Sequence, residues 1–161
     1  MFTSIKATAL VLLTLLLVGC GFQLRGGENL APELRQLALV GDDKSQFYRL
    51  VAARLQRAGA VLVSPGSGAP ILSITGVGLS NTVASVNSQV AALEYASRFG
   101  TRFTLDMPDE SRQVFNVTFN RSFLDKSAQA LASSREQKQL HEQMEREAAE
   151  QIVRQLNRLS F

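Results

Sequence analysis

Two stretches in the second half of the chain alternate between apolar and polar residues. From Leu93 to Met107, most odd-numbered positions are apolar and most even-numbered positions are polar or charged. The same odd-numbered apolar pattern returns from Phe115 to Phe123, after the turn-forming segment 108–111. A period of two is typical of a strand with one buried face. The sequence therefore predicts an antiparallel hairpin in this region.

Residues 47–58 show a different pattern, with apolar side chains recurring every three or four positions. This spacing predicts an amphipathic helix that buries one face. Asp43 or Ser45 is the predicted N-cap, because a short polar side chain there can accept a hydrogen bond from a free backbone N–H. Gly59 is the predicted stop, since glycine readily adopts the left-handed conformation that ends helices.

The C-terminal segment, residues 134–159, repeats apolar residues in the same helical steps, and Ser133 or Ser134 is its predicted N-cap. Its other face carries charges of both signs, which is typical of a solvated helix face. The apolar stripe that we expect to pack inward consists of Leu140, Met144, Ala148, Ile152, Leu156 and Leu159.

Three further segments predict strands. The short apolar runs 37–40 and 61–63 indicate a buried strand and a brief one, and residues 71–90 indicate a long strand with a bulge near Gly76 or Gly78. The fold class predicted by this order is α+β, a two-layer sandwich in which two amphipathic helices pack on one face of a roughly four-stranded, mostly antiparallel sheet. The other face would meet solvent or a partner, and would carry Glu94, Arg98, Arg102, Asp106, Asn116, Thr118 and Asn120.

The N-terminal residues have the features of an export signal. Lys6 precedes the apolar run 11–18, which is shorter than the roughly 20 residues of a membrane-spanning helix. A basic start, a short apolar core and small residues before a cut are typical of a secretory signal peptide. The segment Leu17-Val18-Gly19-Cys20 matches the lipobox of bacterial lipoproteins, in which the cysteine is acylated.

Cleavage before Cys20 would divide the chain into three parts. We predict a signal peptide over residues 1–19, a lipidated N-terminus and short tether over 20–33, and a single α+β domain over 34–161. Two or more acyl chains on Cys20 would anchor the protein to a membrane. Gly21 stands where an aspartate tends to retain lipoproteins in the inner membrane. By resemblance to the lipoproteins of Gram-negative bacteria, the predicted location is the outer membrane, with the protein facing the periplasm.

Composition argues against several classes of function. Cys20 is the one cysteine and His141 the one histidine, so no free thiol, disulfide or histidine cluster is available. We therefore expect no enzymatic activity, no metal and no cofactor, and we expect His141 on the surface. The net charge is only +3, and the Lys and Arg residues are scattered along the chain rather than clustered. Both features argue against nucleic acid as a partner.

Arg98 and Arg102 are the most informative charged pair. Because they are four positions apart in a predicted strand, they share one face at a separation of about 13 Å. Arg112 would lie across the hairpin from them. Arginines grouped in this way can hold phosphates through bidentate hydrogen bonds. Alternatively, they form ion pairs with Glu94 and Asp106, which share the same face.

Arg121 interrupts the apolar alternation between Phe119 and Phe123. A guanidinium on the buried side of a strand needs a compensating partner. We expect it to pair with a carboxylate such as Asp125, or to mark the point where the strand leaves the core.

Several short segments follow one another in the order seen in a known family. They are Cys20-Gly21-Phe22-Gln23-Leu24-Arg25-Gly26, Ala84-Ser85-Val86, Glu94-Tyr95, Arg121-Ser122-Phe123 with Asp125, and Ala149-Glu150-Gln151-Ile152. In this ordered set, the chain resembles the LptE family of lipopolysaccharide (LPS)-assembly lipoproteins over nearly its full mature length. The resemblance implies a lipoprotein that sits inside a large outer-membrane β-barrel as a heterodimer, helps that barrel to assemble, and binds LPS.

The sequence departs from the family where basic residues would grip LPS. The corresponding places here read Asn87-Ser88-Gln89 and Ser133-Ser134. The candidate LPS-binding residues are therefore chosen from the cations that this chain does carry, and they are Arg98, Arg102, Arg112 and Lys126.

Two alternatives to the LPS-transport role are open. A stand-alone periplasmic lipoprotein would capture an anionic glycolipid or peptide through Arg98 and Arg102, without a barrel partner. A lipid-anchored hydrolase would need His141 or a pair of acids, and no catalytic motif supports it.

Overall fold

The computed structural model describes residues 30–86, 92–124 and 130–159. The predicted signal peptide and Cys20 lie outside these residues. The described elements, in chain order, are a short 3-10 helix, Pro32–Leu34; β1, Gln36–Val40; α1, Gln46–Arg57; β2, Val61–Val63; β3, Ile71–Val86; β4, Ala92–Asp106; β5, Arg112–Leu124; and α2, Ala130–Leu156.

The strands form one mixed sheet in the order β2-β1-β3-β4-β5. β1 is parallel to both of its neighbours, and Ala38 lies opposite Val63 on one side and Ile71 on the other. β4 and β5 form the predicted antiparallel hairpin, and β3 pairs with β4 to extend it into an antiparallel meander. The sheet therefore has five strands rather than about four, and two of its four pairings are parallel. The reason is that α1 carries the chain back to the starting end of β1, so that β2 must run parallel to it.

Both helices pack on one face of this sheet. The ring of Phe47 in α1 meets the ring of Phe99 in β4 edge to face, with 5.3 Å between centroids. The predicted inward stripe of α2 is confirmed, and Leu140 and Leu159 at its two ends are partly buried. The α+β fold with two helices on a sheet is therefore as expected. The fully buried members of the α2 stripe are Met144, Ala148, Ile152 and Leu156.

The helix boundaries agree with the sequence in one case and differ in the other. Ser45 caps α1 by accepting a hydrogen bond from the backbone N–H of Tyr48 at 3.0 Å, and Gly59 follows α1 with a φ of 92°. α2 begins at Ala130, so the predicted N-caps at residues 133–134 are wrong and lie inside the helix. The alanine and leucine residues before them have the highest helix propensities and extend the helix in the N-terminal direction.

A bulge interrupts the pairing of β3 with β4, as the glycines in this segment predicted. Two residues of β3, Gly76 and Val77, lie opposite the single residue Thr101. Gly76 has a φ of 65°, which glycine adopts without steric cost. Beyond the bulge, Leu79 lies opposite Phe99 on the helix-covered face.

Candidate functional site

The face of β3, β4 and β5 that points away from the helices, here called the outer face, is mostly polar, although Val114 and Leu124 of β5 are exposed on it. In β4 it consists of the even-numbered residues, and register places their strand neighbours on the same face. Glu94 and Asp106, at the two ends of β4, are partly exposed. The remaining predicted members of this face are exposed, and they are Arg98, Arg102, Asn116, Thr118 and Asn120.

A shallow groove crosses the centre of the outer face. Gly100 of β4 lies directly opposite Gly78 of β3 and Thr118 of β5, so two adjacent positions lack a Cβ. We call this depression, with a volume of about 440 Å³, the glycine groove. Its floor is peptide backbone, which a ligand can approach closely because no side chain covers it. The residues that line it are Thr75, Gly76, Gly78, Gly100, Thr101, Arg102, Asn116 and Thr118.

Arg98 and Arg102 lie on either side of Gly100. Arg102 donates from Nε to Oδ1 of Asn116 at 3.2 Å, which orients its guanidinium along the groove wall. Arg98 lies opposite Ser80 and Asn120, and it forms no ion pair with any of the described residues. The two arginines are about 13 Å apart along the strand, so a ligand over the groove can meet both.

Arg112, unlike Arg98 and Arg102, is held by a carboxylate. It forms an ion pair with Asp106, the residue directly opposite in the hairpin. The hydrogen bond and the negative charge of Asp106 raise the pKa of Arg112 above its ordinary value. The sequence left two interpretations of these arginines, phosphate binding and ion pairing. Arg112 forms the ion pair. Cys20 and Lys126, the other predicted site residues, lie outside the described residues.

Arg121 interrupts the apolar pattern of β5 because it forms an ion pair with α2, which the sequence did not predict. Its Nη2 donates to Oε2 of Glu147 in α2 at 2.7 Å, which joins the strand to the helix. The suggested partner Asp125 lies outside the described residues. Gln143 donates to the other carboxylate oxygen of Glu147 at 3.0 Å, so this carboxylate has two partners.

A polar cluster between the sheet and α2 was also missed. The Oγ of Ser97, a fully buried residue, donates to Oδ1 of Asn81 at 2.6 Å. The Nε2 of His141 lies 3.3 Å from the same Oγ. Because the hydroxyl proton points to Asn81, the Ser97 oxygen can accept a hydrogen bond from Nε2 in the tautomer that protonates this nitrogen. His141 is therefore half-buried and in contact with the sheet, rather than a plain surface residue.

His141 gives the stability of the protein a predictable pH dependence. Burial lowers the pKa of His141 from its ordinary value of 6.5. The unfolded state then binds the proton more tightly, so the free energy of unfolding falls as the pH drops from above 6.5 through the lower pKa of the folded state. Urea unfolding between pH 7.5 and 5 should show a smaller loss for His141→Gln than for the unchanged chain.

The comparison with His141→Gln also controls for Glu145, one turn further along α2. Burial and the charge of Glu142 raise the pKa of Glu145. The stability linked to a raised pKa is present at low pH and is lost as pH rises, which opposes the effect of His141. Both proteins contain Glu145, so its contribution cancels in the difference. Equal pH profiles for the two proteins would contradict the role assigned to His141.

Neither a metal centre nor a membrane-spanning helix is found in the part of the chain that the structure describes. Those residues contain no group of three or more His, Cys, Asp or Glu side chains that could hold a metal ion. No helix among them is long and apolar enough to cross a bilayer.

Asp109, in the turn between β4 and β5, accepts hydrogen bonds from the backbone and side chain of Ser111, which lower its pKa.

The sheet and helices also occur in solved lipoprotein structures. The crystal structure of rare lipoprotein B from Shewanella oneidensis is 28% identical, covers 75% of this chain and 92% of its own, and superimposes with a TM-score of 0.70. The solution structure of lipoprotein B from Nitrosomonas europaea is 21% identical, covers 85% of this chain and 90% of its own, and has a TM-score of 0.65. The second likeness concerns the fold alone.

Sequence comparisons identify the family. The LPS-assembly lipoprotein LptE of Photorhabdus laumondii is 30% identical over 147 residues, which cover 90% of this chain and 81% of that protein. The corresponding protein of Yersinia enterocolitica is 29% identical over 148 residues, which cover 90% and 72%. The family model described as LptE, lipopolysaccharide-assembly, matches residues 34–156, from the end of the 3-10 helix to the end of α2. This chain therefore belongs to the LptE family.

Proposed function

We propose that this protein is a lipid-anchored outer-membrane component of LPS transport and assembly. In this role it plugs a large β-barrel translocon as a heterodimer, helps that barrel to assemble, and binds LPS. The observation that carries the proposal is the family match, which spans all five strands and both helices. The lipobox ending at Cys20 supports the anchor, and Gly21 supports the outer membrane as its location.

The shape and polarity of the folded body suit a barrel plug. Large outer-membrane barrels enclose a polar, water-filled interior. The outer face is mostly polar, and the solvent side of α2 carries charges of both signs, including the pair Arg146–Glu142. A body of this kind can occupy such a lumen without exposing its apolar core, and no reaction is required of it.

The glycine groove supports the proposed binding of LPS. LPS presents phosphate groups on a sugar backbone, so a site for it needs separated cations and room for sugar rings. Arg98 and Arg102 supply the cations on either side of Gly100, and the missing Cβ atoms supply the room. Arg112 would have to exchange Asp106 for a phosphate. Lys126 is a further candidate from the sequence.

The first experiment identifies the partner. The tagged full-length lipoprotein is captured from outer membranes in mild detergent, and the proteins that remain bound are identified by mass spectrometry. A stoichiometric large β-barrel supports the plug. Recovery of correctly lipidated protein alone would contradict it and favour the alternative, a stand-alone lipoprotein that binds an anionic glycolipid or peptide.

Replacing both arginines of the groove should weaken LPS binding. Each charge-assisted hydrogen bond contributes about 1.5–3 kcal/mol, so the double change Arg98→Gln, Arg102→Gln should raise the Kd for purified LPS by at least about tenfold per arginine. The matched control is Arg146→Gln, on the solvent side of α2, which should bind like the unchanged chain. Equal affinity of a folded double variant would remove these arginines from the LPS site.

Filling the groove tests its shape independently of charge. Gly100→Val introduces a side chain whose Cβ would meet Thr118 Oγ1 and Val117 O only at 3.9 Å, so the sheet can accept it. Valine also favours strands, and the thermal midpoint should be unchanged or higher. We expect LPS affinity to fall while stability holds. The control Thr104→Val, on the outer face of the same strand beyond Arg102, should bind LPS normally.

A further inference from the structure

One long edge of the sheet has no partner among the strands that the structure describes. β3 pairs with β4 along one side, but its pairing with β1 on the other side covers only Ile71–Ser73. From Thr75 to Val86, none of the described strands lies against that second side. Half of the N–H and C=O groups of this segment therefore point away from the sheet without a strand to receive them.

The other sheet edges are protected, and this one is not. β2 ends the sheet on one side with only Val61–Val63. β5 ends it on the other side and carries the charged residues Arg112 and Arg121. Short length and charge are two ways by which proteins prevent unwanted strand pairing. The 16 residues of β3 contain no Lys, Arg, Asp, Glu or Pro.

Exposed apolar side chains accompany this open edge. Leu79 is 45% exposed and Val83 is 53% exposed, although both lie on the same face of the sheet as the buried core. They lie opposite Phe99 and Tyr95 of β4, respectively. Ser80, between them in sequence, faces the outer side opposite Arg98. The edge thus presents Leu79 and Val83, on either side of Asn81, on the helix-covered face, and hydroxyl groups on the outer face.

We propose that an extended segment of the β-barrel partner pairs with the free edge of β3 and adds a strand to this sheet. The occupant is a strand because an extended segment can pair with the whole row of main-chain donors and acceptors at once. Its composition follows from the edge. Apolar side chains would cover Leu79 and Val83, and uncharged polar side chains would lie beside Ser80. This inference rests on the proposed function, since it names the surface through which the barrel is held.

The test uses photocrosslinking in cells that carry the full-length lipoprotein. The photoreactive residue p-benzoylphenylalanine replaces Leu79 or Val83 in turn. The matched controls are Val114 and Leu124 on β5, which are 55% and 58% exposed. We expect crosslinks to the barrel at Leu79 and Val83 to exceed those at the β5 positions by about tenfold, because strand addition brings the two chains into direct contact.

A second measurement uses charge at the edge. Leu79→Lys and Val83→Lys introduce the residue that natural edges use against pairing, and they should lower the barrel recovered with the tagged lipoprotein by about tenfold. Val114→Lys is the control and should recover the normal amount. Circular dichroism on the same variants verifies that the sheet is intact, since both positions are already exposed.

The outcomes separate this inference from the proposed function. If the barrel is recovered normally with folded Leu79→Lys and Val83→Lys, the edge is not the contact, while the plug still stands. Crosslinks from Leu79 to a second copy of this chain would also overturn the inference and leave the plug standing. If the unchanged lipoprotein recovers no barrel, the proposed function fails and takes the inference with it.

Discussion

Replacing Phe99 with alanine should lower the free energy of unfolding by about 3–5 kcal/mol, the range for a large aromatic side chain removed from a core. Phe99 is 1% exposed, and its ring meets that of Phe47 in α1. It lies opposite Leu79 in β3 and Phe119 in β5, so it joins three strands to a helix. The cavity could close only if the sheet and α1 moved together. Urea unfolding followed by circular dichroism measures the loss.

Val114→Ala provides the comparison for this experiment. Val114 is 55% exposed, and the change should alter the free energy of unfolding by less than about 0.5 kcal/mol. A loss of under about 1 kcal/mol for Phe99→Ala would show that the core repacks around the missing ring, contrary to the tight interior expected of folded proteins.

Replacing Cys20 with alanine should abolish the acyl anchor and the signal-peptide cleavage that depends on it. Acyl chains bind bilayers with about 0.8 kcal/mol per buried methylene, so the loss of two or more chains removes nearly all of the proposed anchoring energy. Outer-membrane fractions should contain the unchanged chain in its cleaved and acylated form. Cys20→Ala should accumulate as an uncleaved precursor, because the lipoprotein signal peptidase needs the modified cysteine.

Globomycin, which inhibits that peptidase, supplies an independent control. The unchanged chain treated with the drug should also accumulate as a precursor, but with its diacylglycerol attached, which mass spectrometry can distinguish. Normal processing in the presence of the drug, or membrane retention of a cleaved Cys20→Ala protein, would contradict lipidation at this residue.

The period-two pattern predicted β4 and β5 well, because burial of one face alone decides which positions are apolar. The parallel pairings of β1 could not be predicted in the same way. β2 has only three residues, Val61–Val63, which is too short to show a periodic pattern of apolar positions. Its pairing with β1 depends instead on where α1 returns the chain. The start of α2 was misjudged because Ser133 and Ser134 look like caps, whereas helix propensity outweighs them.

Spacing within one strand predicted part of the candidate site. Arg98 and Arg102 share a face because strand geometry fixes it. The pairing of Gly78 with Gly100 depends on the bulge, whose length the sequence did not reveal. The contacts of His141 with Ser97 and of Arg121 with Glu147 join distant segments, so no local pattern announces them. The family match confirms both the resemblance and the expected absence of enzymatic activity.

The bulge at Gly76 and Val77 restricts how β3 can change in length during evolution. Upstream of it, Leu72 faces the helices from an even-numbered position, and downstream Leu79 and Val83 do so from odd-numbered ones. Losing one residue within the downstream stretch would turn the side chains beyond the deletion to the opposite face. Losing two residues would return those side chains to their original face of the sheet. Homologues should therefore differ here by even numbers of residues, unless a change at the bulge itself compensates.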